Sequence, residues 1–294
     1  MRTSRLVKDD KKEALLLTII ASSLWGTSFP AIKIGLQYMD AYTFVFLRFF
    51  LALLVMLTLV FITKKFSFNF NKRLMLFLGV TNGLAYLLQY IGMSYTSASK
   101  SSLLVNLTVV WVALLSPILI KEKIGRKKLS GVILSLIGIL FITTNLNFES
   151  LGVGNIFGDF MVILAGIIWA LFILYNKPLV DQSKTLMVPL TWLLLFTILP
   201  LTPVVPFTVG NFLNLPLEAW IAVIYTAVFC WNIPYYLWSK GLQKISPVTS
   251  TIILLNEIVV SVIISIIFLG ESLTIISGIG AAIIVIAILL VSIK

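Results

Sequence analysis

The chain has 294 residues, of which 60% are apolar and only 11% charged, and its mean hydropathy is +1.08. A soluble domain of this length needs far more polar surface to cover its core, so the composition excludes one. The formal charge of +11 comes with no histidine and a single cysteine, Cys230, which also excludes disulfide frameworks, CxxC metal sites, HExxH zinc sites and histidine triads.

A helix needs about 20 apolar residues to cross the hydrocarbon. Ten stretches approach that length: 14–36, 42–62, 74–94, 99–120, 129–144, 156–177, 186–206, 216–239, 248–269 and 273–293. The first is preceded by Asp9, Asp10 and Glu13 and has no small-residue cleavage site, so it is expected to be a span and not a cleaved signal. Pro30 and Gly35 loosen its end. Thr144 to Asn155, with Asn145, Asn147, Gly152 and Gly154, carries turn chemistry and joins two halves, about 1–146 and 155–294. Pro200, Pro203 and Pro206 break the end of the seventh stretch, Pro216 opens the eighth and Ser246-Pro247 opens the ninth. Pro117 and Pro234 lie inside spans and are expected to kink them. In lipid such a kink persists only where neighbours satisfy the freed carbonyl.

The halves repeat one another. At an offset of 149, Gly92 falls on Gly241, Ser97 on Ser246, Ser101 on Ser250, Glu122 on Glu271, Gly131 on Gly280 and Tyr86 on Tyr235. At an offset of 144, Trp25 falls on Trp169 and Lys33 on Lys177. The turn at Glu122 holds Lys121, Lys123, Arg126, Lys127 and Lys128, whereas the turn at Glu271 has no basic residue. Five helices per half is an odd number, so equivalent turns fall on opposite faces of the bilayer, and cytoplasmic turns collect Lys and Arg. Placing both termini in the cytoplasm puts all the basic residues inside except Lys33, Arg48 and Lys100. The charge is therefore topology information, and no nucleic-acid partner is expected. The expected fold is an all-α membrane protein of ten transmembrane helices in two inverted five-helix repeats, an arrangement that marks secondary transporters.

Polarity where polarity is expensive gives the candidate site. Glu257 sits mid-span among Leu254, Leu255, Ile258 and Val259, with Ser250 and Ser261 on the same stripe. A charge there costs at least about 2.5 kcal/mol, so it should face a cavity, a partner or a proton, the alternative being interhelical glue. Asn82, Tyr86, Gln89 and Met93 line one stripe of the third span with Tyr90 at its edge, and the eighth holds Trp231, Asn232, Tyr235, Tyr236 and Trp238. Aromatic residues with polar tips suit a cavity for a small amphipathic ligand. The interfacial aromatic belt is the competing account, and it fits Trp238 best. Asn106 and Asn256 are cavity donors or interhelical glue. Arg48, in the second span, is expected to snorkel outward or to pair with an acid such as Asp40, ahead of binding a substrate anion.

Trp25-Gly26-Thr27-Ser28-Phe29 followed by Lys33 and Arg48, Tyr95-Thr96-Ser97-Ala98-Ser99, and Phe268-Leu269-Gly270-Glu271 with its weaker copy Lys121-Glu122-Lys123 together resemble the motifs of the EamA-like permeases of the drug/metabolite transporter superfamily. The resemblance covers essentially the whole chain. It departs where family members carry a proline in the fourth and ninth helices, here Val109 and Ile258. It implies ten helices, alternating access, export of small metabolites, often amino acids, and structural helix-end roles for Glu122 and Glu271.

The function expected is a plasma-membrane secondary transporter exporting a small metabolite, foremost amino acids. The alternative is a proton-coupled exporter of cationic drugs, as in the related small multidrug resistance proteins, with Glu257 as the coupling residue. An intramembrane enzyme or a channel ranks lower, for want of a catalytic cluster, a charged ring or a filter-like loop. The cavity candidates are Trp25, Asn82, Tyr86, Gln89, Asn106, Trp169, Trp231, Asn232, Tyr235, Asn256 and Glu257, and Arg48, Glu122 and Glu271 are taken as structural charges. No metal and no cofactor are expected. The partners expected are a small-molecule substrate and the lipid bilayer, with the chain a monomer and a dimer the alternative.

Overall fold

The computed structural model describes residues 2–63, 71–95, 98–152, 155–183, 185–203, 215–269 and 274–293. Glu271, with part of the motif around it, lies outside the described residues. Those residues are all-helical: α1 (Arg2–Gly26), α2 (Ser28–Gly35), α3 (Ala41–Ile62), α4 (Lys72–Tyr95), α5 (Ala98–Asn106), α6 (Thr108–Leu119), α7 (Arg126–Thr144), α8 (Ile156–Gln182), α9 (Met187–Ile198), α10 (Leu217–Ala227), a π-helical turn (Val228–Asn232), α11 (Ile233–Leu242), α12 (Pro247–Leu254), α13 (Asn256–Leu269) and α14 (Ile275–Ser292). Among them, seven helical runs are long and apolar enough to cross a membrane: 42–62, 72–92, 126–144, 156–182, 217–242, 247–264 and 275–292. The expected fourth and seventh stretches contain the shorter apolar helices Leu103–Leu119 and Met187–Ile198, and the expected first is divided between α1 and α2.

Helix starts follow from capping chemistry. The Asp40 carboxylate accepts from Tyr42 N and Thr43 N, both at 3.0 Å, and so opens α3. Asn155 caps α8 through Phe157 N at 2.9 Å, and Thr274 caps α14 through Ser277 N at 3.1 Å. Ser246 caps α12 with Pro247 at its first position, as the sequence leads one to expect. Asn145 ends α7 in the left-handed region at φ 53°.

The strongest packing joins the two halves. α4 lies against α8, α1 against α11 and α7 against α14. Without a hydrophobic drive between helices in lipid, such contacts rest on close backbone approach at small residues. A Cβ at Gly158 would lie 2.9 Å from the Gly92 carbonyl oxygen, and one at Gly280 would lie 2.8 Å from that of Gly138. Gly241, the repeat partner of Gly92, packs on Ala14 and Thr18 of α1 in the same way.

Four interruptions break the helices. α1 gives way to α2 at Thr27, α5 to α6 at Leu107, α12 to α13 at Leu255, and the π-helical turn separates α10 from α11. Leu107 N bonds the Leu104 carbonyl and Leu255 N the Ile252 carbonyl, each at 3.3 Å, so the two breaks share one tightened i→i−3 geometry. They form without a proline, Val109 and Ile258 standing just after them. Polar side chains bind the neighbours instead: Thr108 Oγ1 donates to Val105 O at 2.7 Å, and the Asn256 amide donates to Ser22 Oγ and Ser23 Oγ at 3.2 and 2.9 Å. Pro117, by contrast, lies inside α6, which continues to Leu119.

Because backbone atoms cannot move aside, Gly280→Ala is expected to cost about 1–3 kcal/mol and to lower the Tm of the purified protein by several degrees. Gly125→Ala, where nothing lies within 4 Å of the added carbon, should leave it unchanged.

Candidate functional site

The kink at Pro234 builds the site. Proline has no N–H to give the carbonyl four residues back, which here is Cys230. That carbonyl accepts from Arg48 Nη2 at 3.2 Å, so a side chain of α3 satisfies the group that α11 frees. Arg48 is 3% exposed and turned into the bundle. It therefore does not snorkel outward, and Asp40 is occupied in capping α3. The guanidinium carbon stands 5.6 Å from the ring centres of both Phe49 and Tyr86, within cation–π range, and Tyr90 is a further hydrogen-bond partner.

Six aromatic side chains, Phe49 and Tyr86 among them, close a ring beside this arginine. Phe49 meets Tyr86 at 5.0 Å between centroids, Tyr86 meets Trp169 at 4.8 Å, and Trp169 meets Phe172 at 5.6 Å. Phe172 meets Tyr235 at 6.0 Å, Tyr235 stacks on Trp231 at 4.5 Å, and Trp231 returns to Phe49 at 6.1 Å. The ring draws on α3, α4, α8, the π-helical turn and α11, and hence on both halves. Trp25 of α1 joins at Tyr235, 6.2 Å away. The contacts Trp169–Tyr86 and Trp25–Tyr235 join residues that correspond at the two sequence offsets, the first between α8 and α4 and the second between α1 and α11.

Several buried polar atoms in this region have no hydrogen-bond partner: Arg48 Nε, Trp231 Nε1, Tyr235 Oη, Asn82 Oδ1 and Asn232 Oδ1. Unpaired buried groups are rare in native proteins, and a cluster of them calls for an explanation. Tyr86 is half-buried, with Phe49, Trp169 and Arg48 against it. Glu257, in the first turn of α13, is also partly accessible, and no described cation or donor bonds its carboxyl. Its backbone presses on α1, where a Cβ at Gly26 would lie 2.6 Å from the Glu257 carbonyl oxygen. Tyr86 is within electrostatic reach of both Arg48 and Glu257.

The remaining candidates divide. Gln89 accepts from Trp169 Nε1 at 3.3 Å and so borders the ring. The amide nitrogens of Asn82, Asn232 and Asn256 tie helices together, Asn82 to Thr197 Oγ1 at 2.9 Å and Asn232 to the Ala52 carbonyl at 3.3 Å. Asn106 ends α5 beside the Leu107 break and is half-buried. Ser250 does not share a wetted stripe with Glu257, because the Leu255 break separates them and Ser250 accepts from Trp238 Nε1 at 2.8 Å. For the same reason Trp238 is no interfacial belt residue: it is 2% exposed and packs on Trp25 and Tyr235. Glu122 Oε1 pairs with Lys128 Nζ at 2.7 Å, linking the turn after α6 to α7. Sequence reasoning missed Phe49 and Phe172, since a phenylalanine inside an apolar run carries no polar signal.

The sequence profile of the EamA-like transporter family matches residues 12–144 and again 156–293. An uncharacterized transporter of Archaeoglobus fulgidus is 30% identical over 78% of this chain and 80% of its own. A protein of Salmonella typhimurium named a probable amino-acid metabolite efflux pump is 24% identical over 88% of this chain and 87% of its own. One crystal structure of a protein superposes with a TM-score of 0.81 over 95% of this chain and 96% of that one, at 15% identity, a likeness of fold alone. These names are those of transporters and not of enzymes. The chain belongs to the EamA-like transporter family.

Proposed function

We propose that the protein exports a small metabolite, foremost amino acids, across the cell membrane by alternating access, through ten spans arranged as two inverted five-helix repeats, 1–146 and 155–294. The observation that carries the reading is the aromatic ring closed between the halves, with a buried cation on it and an unpaired carboxyl within reach of the same tyrosine. An aromatic enclosure with a few convergent polar groups is what a small amphipathic ligand requires. The neighbouring interruptions at Thr27, Leu107, the π-helical turn and Leu255 support it further, because broken helices near a repeat interface mark transporter binding sites. The efflux-pump name of the Salmonella relative agrees in substrate class and direction. A proton-coupled exporter of cationic drugs is the second reading, favoured by the unpaired Glu257 carboxyl alone.

The repeats imply cytoplasmic termini. With single cysteines introduced on a Cys230→Ser background, a cysteine at 125 should be protected from an impermeant reagent added outside and one at 271 should be labelled. Labelling of both positions, or of neither, overturns the inverted arrangement, and the reverse pattern overturns the cytoplasmic termini.

Tyr86→Ala or Tyr235→Ala removes a ring member and should reduce transport in proteoliposomes about tenfold or more, equivalent to about 1.4 kcal/mol of lost binding. Expression and monodispersity should stay near those of the parent. Equal losses of folded protein and of transport would assign both tyrosines to packing.

Glu257→Gln keeps volume and most hydrogen bonding but cannot change charge. It should fold, lose uphill transport driven by a proton gradient and retain exchange. Uphill transport at the parental rate would leave Glu257 as a link between α1 and α13.

A further inference from the structure

We propose that Arg48 is the group that binds the substrate's carboxylate, an assignment that rests on the reading of the chain as an amino-acid exporter. A guanidinium offers five N–H donors in a planar fork that matches a carboxylate. Holding the Cys230 carbonyl needs one of them, and a neutral asparagine or serine could do that without burying a charge. Arg48 is nonetheless a cation, 3% exposed, with its Nε unpaired.

No described acid neutralises it. The ion pairs among the described residues are Lys100–Asp159, Lys128–Glu122, Lys177–Asp181, Lys240–Glu13 and Lys244–Asp10, none of which includes Arg48. The nearest acid in sequence, Asp40, has both carboxylate oxygens engaged at the start of α3, one by two backbone N–H groups and one by Thr43 Oγ1 at 2.6 Å. Among the described residues, the guanidinium is compensated by the faces of Phe49 and Tyr86, a carbonyl and Tyr90. Buried charges are ordinarily paired, so the missing anion is most simply the cargo.

Two further donors stand on the same ring without partners, Trp231 Nε1 and Tyr235 Oη. Arg48 and the Trp231 indole share Phe49 as a neighbour, the guanidinium carbon at 5.6 Å and the indole at 6.1 Å from its ring centre. A carboxylate there meets the arginine fork and two neutral donors, while the apolar part of the molecule lies against the aromatic faces. Glu257, within electrostatic reach of the same tyrosine, is left to meet the ammonium group.

The test uses the purified full chain in detergent. The probes are leucine, methionine and phenylalanine, their amides, phenethylamine and 3-phenylpropionate, with affinities taken from thermal-shift titrations. The acids should bind the parent protein at least about tenfold more tightly than the amides, the scale of one lost charge-assisted contact. In Arg48→Gln, which keeps a donor for the Cys230 carbonyl, that preference should collapse while amide affinity changes little. Equal affinity of acids and amides in the parent overturns the assignment, and so does a variant that weakens both alike. Should Arg48→Gln fail to fold, the comparison of acid with amide on the parent decides alone. Binding of 3-phenylpropionate but not of phenylalanine, still lost in Arg48→Gln, keeps Arg48 and overturns the amino-acid reading. Binding of phenethylamine with no response to any acid overturns Arg48 and favours the cation exporter. No response to any probe also counts against the assignment.

Discussion

A backbone group inside a bilayer has no water to turn to, so every interruption of a helix must be answered by another part of the protein. This constraint arranges the centre of the molecule. Pro234 leaves the Cys230 carbonyl without its helical donor, and Arg48 supplies one from α3. Asn256 beside the Leu255 break reaches two serines of α1, and Thr108 beside the Leu107 break binds the Gly166 carbonyl at 3.1 Å. Each break therefore fixes a contact between elements distant in sequence. The Arg48 contact falls on the aromatic ring itself, against Phe49 and Tyr86, so satisfying the backbone and placing a charge beside the ring are one structural act.

Buried charge obeys the same logic with larger energies. The lysines and acids near helix ends pair in partly wetted positions, where an ion pair is worth about 0–1 kcal/mol. Arg48 lies where solvation by water is lost, and ring faces and a carbonyl stand in for it. Glu257 is half-buried, and no described residue bonds its carboxyl. One molecule thus holds two ionisable groups by different means, and in the proposed cycle this separation lets a cargo with both charges be recognised at its two ends.

What the sequence conveyed was mainly polarity out of place and self-similarity. Trp25, Trp169, Tyr86 and Tyr235 were visible because each matched its repeat partner, and they do meet in equivalent pairs. Pro234 announced a carbonyl in need of a donor. The residue that answers it was visible as a charge but not in its direction, because an arginine two turns from a span end can point either way, and only the placement of α10 and α11 decides. Phe49 and Phe172 were hidden, since hydrocarbon among hydrocarbon leaves no pattern. The breaks at Leu107 and Leu255 were hidden for a related reason: without proline they depend on partners across the bundle, which no local stretch of sequence records. Trp238 misled because tryptophan suits both a membrane interface and a core with one acceptor, and Ser250 provides that acceptor.

The clustering of indoles has an optical consequence. Of the seven tryptophans in the chain, Trp25, Trp169, Trp231 and Trp238 belong to one continuous set of ring contacts. Neighbouring centroids there stand between 4.5 and 6.4 Å apart, close enough for excitation to pass from ring to ring. Light absorbed anywhere in the set is therefore emitted from its lowest-energy member, whose colour depends on the local field and on water. Four of the seven indoles thus report together from the contact between the halves, and a change there alters the ultraviolet spectrum without any attached dye.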